Sequence, residues 1–476
     1  MTQKHDFLLG GEWRRGTSAV PVVNPYSQEM VAEVSLANAE DIQKAITAAE
    51  KAFETTRKLP AFHRARICSQ IAEGIKSRQD EFARAISLES GKPLIYAKAE
   101  VTRSILTFNI AAEEASRING EILTLDIAES SKGKMGITRR FHIGPISGIS
   151  PFNFPLNLVA HKVAPAMACG NPILLKPSSL TPLSALLLGK VIMETDAVKG
   201  SFSALPCKRE DADPLVEDPR LKMVSFTGSP SVGWDIKKRA GKKRVTLELG
   251  GNAAAVIEPD SDLDLAAKRV CFGAFAYSGQ VCISVQRVFV HKSCCADFTG
   301  KLLHEIKSLN PGDPLDEAVN FGPMIDLANA ERIESWTQKA VEGGGEILAG
   351  GKRDGAFFEP TLLAGVDPLE QIVCDEAFGP VLIIEEYSDF DAVLERVNAT
   401  PFGLQAGVFT NQMDKTMRAF NRLEVGGVVI NDVPTFRIDN MPYGGVKDSG
   451  FGREGVKYSI EEMTETKLLV MNHYLY

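Results

Sequence analysis

The 476-residue chain carries 53 Lys and Arg against 61 Asp and Glu, a formal net charge of −8, with 44% hydrophobic and 24% charged residues. That is the composition of a soluble globular protein long enough for two or three domains, and its acidity argues against a nucleic-acid partner. No run of about 18 apolar residues is present, which excludes a membrane-spanning helix, and the eight cysteines have neither CxxC spacing nor a histidine cluster beside them, so free thiols in a reducing, cytoplasmic setting and no metal site are expected.

The opening MTQKHDFLLGGEWRRG has neither the apolar core nor the small-residue cleavage site of a secretory signal, in line with a cytoplasmic expectation. Residues 38–118 place apolar side chains at three- and four-residue spacing and predict a run of helices, with Asn119-Gly120 as the stop. KMGITRRFHIG then reads as extended. From residue 144 short apolar strands (ISGIS, PILLK, KMVSFTG, RVTLELGG) alternate with helical segments (LVAHKVAPAMACG, TPLSALLLGKVIMET, PSVGWDIKKRAG), the pattern of a parallel sheet covered on both faces. A second alternating block runs from about 253 to 440, and TETKLLVMNHYLY is a strand-like tail that calls for a partner edge. The expected fold class is therefore α/β: two α/β domains plus an all-helical N-terminal stretch.

Several strand ends carry chemistry. VSFTGSPSVG runs a strand into Gly228-Ser229 just before a helix, a place where N–H groups and the helix dipole favour a phosphate; the spacing GSxxxG is neither GxGxxG nor a P-loop. Lys176 ends the strand of ILLKPSSLTP, where it reaches a ligand or simply meets solvent. Glu248, framed by leucines in LELGGN, is a general-base candidate or an exposed carboxylate on an alternating strand. Asn153 in SPFNFP is an oxyanion donor or a turn residue. In AYSGQVCISVQR, Cys282 is a nucleophile or a packed thiol.

Taken together and in order, SPFNFP, GNPILLKPSSLTP, VSFTGSPSVG, LELGGN, SGQVC, NPGDP, DEAFGP and PYGGVKDSGFGREG resemble the aldehyde dehydrogenase superfamily from Leu8 onward, including the 34-residue spacing from Glu248 to Cys282. The resemblance implies Cys282 as nucleophile, Asn153 and the Cys282 N–H as oxyanion donors, and Glu248 as the base that activates water. It implies an NAD or NADP site in which Lys176 binds the adenosine ribose, Gly228 and Ser229 the pyrophosphate, Val232 the adenine, Glu376 the nicotinamide ribose and Phe378 the nicotinamide. Phe152 stands where the family usually has tryptophan. Ser179 stands where many NAD users have glutamate, which removes a repulsion and admits NADP.

The resemblance also implies two Rossmann-like α/β domains plus a small β oligomerisation arm: residues 1–119, with the N-terminal helices, and 145–250 for the dinucleotide, 251–440 for catalysis, and 120–144 with 460–476 as arms of a homodimer or homotetramer. Three residues at family pocket positions are unusual: Arg103, His161 and Arg437. Two arginines in one funnel predict a small anionic aldehyde, since guanidinium grips carboxylate, phosphate, phosphonate or sulfonate through paired hydrogen bonds; the alternative is a surface arginine and a loop ion pair. The C-terminal words look most like the phosphonoacetaldehyde, non-phosphorylating glyceraldehyde-3-phosphate and lactaldehyde dehydrogenases. Val281 replaces the arginine that glyceraldehyde phosphate enzymes tend to place before the cysteine. A CoA-acylating relative would lack Glu248, and a purely structural one would be expected to lose Cys282 or Glu248.

Overall fold

The apolar spacing of the N-terminal third folds as helices Ala39–Thr56, Ala61–Lys76, Gln79–Ser90 and Leu94–Ala115 in the computed structural model, which describes residues 3–472. Asn38 sets the first helix start: its side chain accepts the Asp41 N–H at 2.9 Å while the Asp41 carboxylate accepts the Asn38 N–H at 3.2 Å. The last helix stops at Ala115, ahead of Asn119-Gly120. Gly120 serves packing instead, because a Cβ there would lie 1.8 Å from the Thr138 carbonyl oxygen.

Two large sheets organise the rest. In the first, strands Ile146–Ile149, Ile173–Lys176, Met223–Thr227 and Arg244–Glu248 run parallel and adjacent, in the order Arg244, Met223, Ile146, Ile173. Helices Asn157–Ala168 and Leu183–Met193 cover it, and Ile71, Phe82, Phe108, Val163 and Leu188 are buried between helices and sheet; each such side chain contributes about 1.5–3 kcal/mol relative to exposure. The second sheet aligns Thr361–Ala364, Val381–Tyr387, Val285–His291, Ala253–Ile257, Gln405–Phe409 and Gly427–Ile430 in parallel, with Glu346–Ala349 antiparallel at one edge. These are the two Rossmann-like α/β sheets that the alternation implies.

Five short strands between Gln3 and Leu36 precede the helices, and none was announced by apolar pattern. Two of them, Phe7–Leu9 and Glu12–Arg14, extend the first sheet, while Gly450–Phe451 returns from the far end of the chain to pair with Leu247 and Glu248 at its other edge. The extended segment and the tail pair as predicted in kind: Met135–His142 lies antiparallel to Thr464–Met471 and to Ile122–Thr124. Tail residues 473–476 lie outside the described residues. No helix among the described residues is long and apolar enough to cross a membrane.

Candidate active site

Strand register brings the sequence candidates together. Ile149 pairs with Lys176 and with Phe226, and Thr227 pairs with Glu248, so the carboxyl ends of four neighbouring parallel strands are level. Asn153, Lys176, Gly228 and Glu248 all sit at or just past these ends, the edge at which parallel α/β sheets bind ligands.

Cys282 follows a constrained turn. Tyr277 and Ser278 both adopt positive φ (48° and 53°), a conformation costing non-glycine residues about 1 kcal/mol or more each. Buried hydrogen bonds hold it: Tyr277 Oη donates to Ser90 O at 2.9 Å, Ser278 Oγ to Gly322 O at 2.6 Å, and Ile325 N to Gln280 Oε1 at 2.8 Å. At Gly279 a Cβ would meet the Gly379 carbonyl oxygen at 2.1 Å, so only glycine fits. Six of the eight cysteines are buried; Cys282 and Cys374 are the two that are not fully so. The packing around Cys282 pushes its thiol up to about 12, opposed by the Tyr443 hydroxyl and the Arg437 charge. Asn153 donates through Nδ2 to the Gln280 carbonyl at 2.9 Å, which fixes its amide beside the cysteine turn, and its buried Oδ1 has no partner.

The loop that carries Asn153 is braced from below. Glu100 accepts the Leu156 and Asn157 N–H groups at 2.9 and 3.0 Å and pairs with buried Lys92. The Lys92 ammonium lies over the Phe154 ring at 3.9 Å and the Tyr277 ring at 4.6 Å, tying this loop to the cysteine turn.

Glu248 is buried, and neither carboxylate oxygen has a hydrogen-bond partner. Burial, reinforced by the nearby Glu454 charge, holds its pKa well above the ordinary carboxylate range. Glu454 takes the opposite state. Burial opposes its ionisation, yet Lys162 at 3.0 Å and Arg437 at 3.1 Å hold it down to about 2. Lys162 also donates to Thr227 and Ser225 at 2.7 and 3.2 Å. Sequence reading passed over both members of this buried pair. A lysine inside the wholly buried helix NLVAHKVAPAMA was the available signal.

The cofactor candidates form a second group. Ser229 precedes the helix Pro230–Arg239 with no side-chain cap, leaving the first-turn N–H groups for an anion. At Gly228 a Cβ would press within 2.5 Å of the Phe226 ring. Val232 packs against the Phe226 and Leu249 cluster, and Lys176 and Ser179 are half-buried at the same edge. Glu376 accepts the Gly251 N–H at 2.9 Å, and burial raises it to about 7. Phe378 has positive φ (46°) and meets Phe152 edge-on at 5.8 Å. Both aromatics of the expected nicotinamide region are thus in contact. A dipole-bearing helix start without a cap, a close-packed glycine and a carboxylate for sugar hydroxyls are the donor set a dinucleotide needs.

A cavity of about 310 Å³ opens onto the thiol, bordered by Cys282, Phe154, Arg103, Arg437, Val281 and Tyr443 among others. Each arginine is ion-paired and each lines the cavity. Arg103 donates through Nη2 and Nε to Asp439 at 2.7 and 3.3 Å, and Arg437 reaches Glu454. No hydrogen bond among the described residues uses Arg103 Nη1. His161 departs from its expected place. It is buried behind the wall rather than on it, because its Nε2 is drawn to Asp439 at 2.7 Å. Burial and the Arg437 charge hold the imidazole below its ordinary pKa and neutral, so it donates to Asp439 and holds the carboxylate against Arg103.

Comparison with known proteins agrees with this geometry. Residues 13–469 match the Aldehyde dehydrogenase family. The chain is 42% identical over 471 residues to a 3-sulfolactaldehyde dehydrogenase of Priestia aryabhattai, covering 99% of this chain and 98% of that protein. It superposes with TM-score 0.98 and 44% identity on aldehyde dehydrogenase 21 from Physcomitrella patens in complex with the reaction product succinate, 99% of each chain being covered. It superposes with TM-score 0.91 and 40% identity on glyceraldehyde-3-phosphate dehydrogenase GapN from Methanocaldococcus jannaschii complexed with NADP, covering 96% of this chain and all of that one. The chain belongs to the aldehyde dehydrogenase family. It is an oxidoreductase that acts on aldehydes with NAD or NADP.

Proposed function

We propose that this enzyme oxidises a short anionic aldehyde to its carboxylic acid, with Cys282 as nucleophile and Glu248 as the base that releases the product. The observation that carries the anionic reading is that Arg103 and Arg437 border the same cavity as Cys282. Around that cavity Arg103 and Asp439 cancel, whereas Arg437 and Lys162 face the single charge of Glu454, and burial disfavours a further negative charge on Glu248. Val281 and Phe154 keep the wall beside the thiol apolar, which favours a compact anion over a bulky phosphorylated chain. Two of the relatives above have names or ligands that are small anions, sulfolactaldehyde and succinate, and they support the same class.

In this reading the Cys282 sulfur adds to the aldehyde carbon, and the developing oxyanion takes hydrogen bonds from the Asn153 amide and the Cys282 N–H. Lys176, Ser179, Gly228, Ser229, Val232 and Glu376 would hold a dinucleotide, with Phe152 and Phe378 beside its nicotinamide, and that group would supply the hydride acceptor. Glu248, once deprotonated, takes a proton from water as that water attacks the thioester, giving the acid and restoring the thiol. Ser179 carries no charge to repel a 2′-phosphate, so NADP is accepted alongside NAD. His161 acts through Asp439 rather than on substrate. The antiparallel arm ending at Met471 exposes half of Leu468, Leu469 and Val470, and we assign it to a homodimer or homotetramer interface.

The test is reduced-cofactor formation with propanal, lactaldehyde, succinate semialdehyde, 3-sulfolactaldehyde and glyceraldehyde 3-phosphate, each with NAD and with NADP. Charged aldehydes should exceed propanal by about tenfold or more in kcat/KM, roughly 1.4 kcal/mol of transition-state binding. Equal values for propanal and the anions would remove the anionic assignment and leave a broad-range enzyme.

A further inference from the structure

Among the polar groups that line the cavity, Tyr443 has a contact that the reading above leaves unused. Tyr443 is 2% exposed, and its phenol oxygen lies 3.0 Å from Cys282 Sγ. Among the described residues this is the one hydrogen bond that either group's reacting atom makes. The ring is held from three sides. The Tyr443 N–H donates to the Glu454 carbonyl at 3.0 Å, and the Glu454 N–H donates back at 2.7 Å. The Arg437 guanidinium lies 3.7 Å from the ring centroid, itself anchored on the Glu454 carboxylate. Val281, Ile283 and Leu404 pack around the phenol and thiol.

We propose that Tyr443 is a catalytic residue whose hydroxyl donates a hydrogen bond to Cys282 Sγ and thereby stabilises the thiolate that attacks the aldehyde. The proposal rests on the reading of Cys282 as nucleophile. A neutral thiol is a weak donor and a weak acceptor, so the contact is worth little in the resting protonated state. On ionisation the sulfur becomes a charged acceptor and the same contact becomes a charge-assisted bond, about twice as strong. The interaction therefore favours the charged form selectively, in a pocket whose apolar walls disfavour it. The thiol proton passes to solvent, while the phenol keeps its own. Burial holds the Tyr443 hydroxyl well above its ordinary pKa, so it acts as donor and not as base. Arg437 aims the ring from beneath and adds a positive charge near the sulfur.

Tyr443→Phe removes one oxygen and preserves the ring. The experiment follows alkylation of the full-length enzyme by iodoacetamide across the neutral-to-alkaline range, with Cys282 and Cys374 quantified separately as peptides. Cys374 is the internal control, being incompletely buried and distant in sequence from the tyrosine contact. The expected result is a rate at Cys282 roughly tenfold lower at every pH, one pKa unit of lost stabilisation, with Cys374 and Tm unchanged. The burst of reduced cofactor should slow by a similar factor. A Cys282 profile superimposable on wild type overturns the proposal, as does equal slowing at both cysteines. Cys282→Ser, assayed in parallel, tests the parent reading separately: activity retained there overturns the nucleophile itself, whereas an unchanged profile in Tyr443→Phe overturns the tyrosine's role alone.

Discussion

The two sides of the cavity are built on opposite rules. On the sheet side, the carboxylate assigned to chemistry is left unsatisfied: both Glu248 oxygens are buried without partners. On the other side every charge is held by another. Arg103 is gripped by Asp439, which also accepts from His161 and Asn157, and Arg437 is gripped by Glu454, which also accepts from Lys162. Unpaired buried polar groups cost about 1–3 kcal/mol each, and at Glu248 that cost leaves both oxygens free to meet water. Paired charges cost less and stay fixed, which suits recognition. The difference separates turnover from selectivity and predicts that substitutions on the two sides damage different kinetic constants.

The largest expected effect is at the thiol. Cys282→Ser should lower kcat/KM by about 10⁴-fold or more with Tm unchanged, because the oxygen nucleophile lacks the ionisation of a thiol. Glu248→Gln should keep the first turnover and lower steady-state kcat by about 10²–10³-fold. Its pH dependence has a definite sign. Burial raises the Glu248 pKa and so favours its protonated form, and a protonated acid takes no proton from water, so wild-type thioester hydrolysis should rise with pH as Glu248 ionises. That rise should vanish in Glu248→Gln. Asn153→Ala should cost about 10²-fold in kcat at little change in KM, the signature of a lost oxyanion donor.

Effects on the charged side should be smaller and should appear in KM. Arg103→Leu should raise KM for succinate semialdehyde by about tenfold and leave propanal unchanged. Asp439→Asn should produce the opposite split, a lower KM for succinate semialdehyde with propanal unchanged, since it leaves the Arg103 charge uncancelled. Equal losses for charged and neutral aldehydes would erase the proposed division between the two sides.

The reacting side was the more legible one in the sequence. Glu248, Asn153, Lys176 and Gly228 each follow a short apolar strand, and strand ends in a parallel sheet converge whatever the remaining contacts. The alternation of strands and helices likewise announced both sheets. The partners of the charged side were not legible: Asp439 meets His161 across 278 positions, and Glu454 meets Lys162 across 292. No local pattern encodes such pairs. For the same reason His161 was expected on the wall, where the structure has it behind Asp439. Tyr443 lay within a quoted word, PYGG, yet its contact with Cys282 spans 161 positions and exists only once the two sheets are packed. The early strands escaped because three of the five have only three residues and Gln3–His5 finds its partner 29 positions downstream, from Gln3 to Ala32.

The most direct test of the reacting side is to mix Glu248→Gln enzyme with an accepted aldehyde and oxidised cofactor, quench in acid, and weigh the Cys282 peptide. An acyl adduct on Cys282, formed in step with reduced cofactor and absent from a Cys282→Ser background, is the predicted result. Reduced cofactor forming with no adduct, or an adduct on any other residue, would contradict the assignment of nucleophile and base.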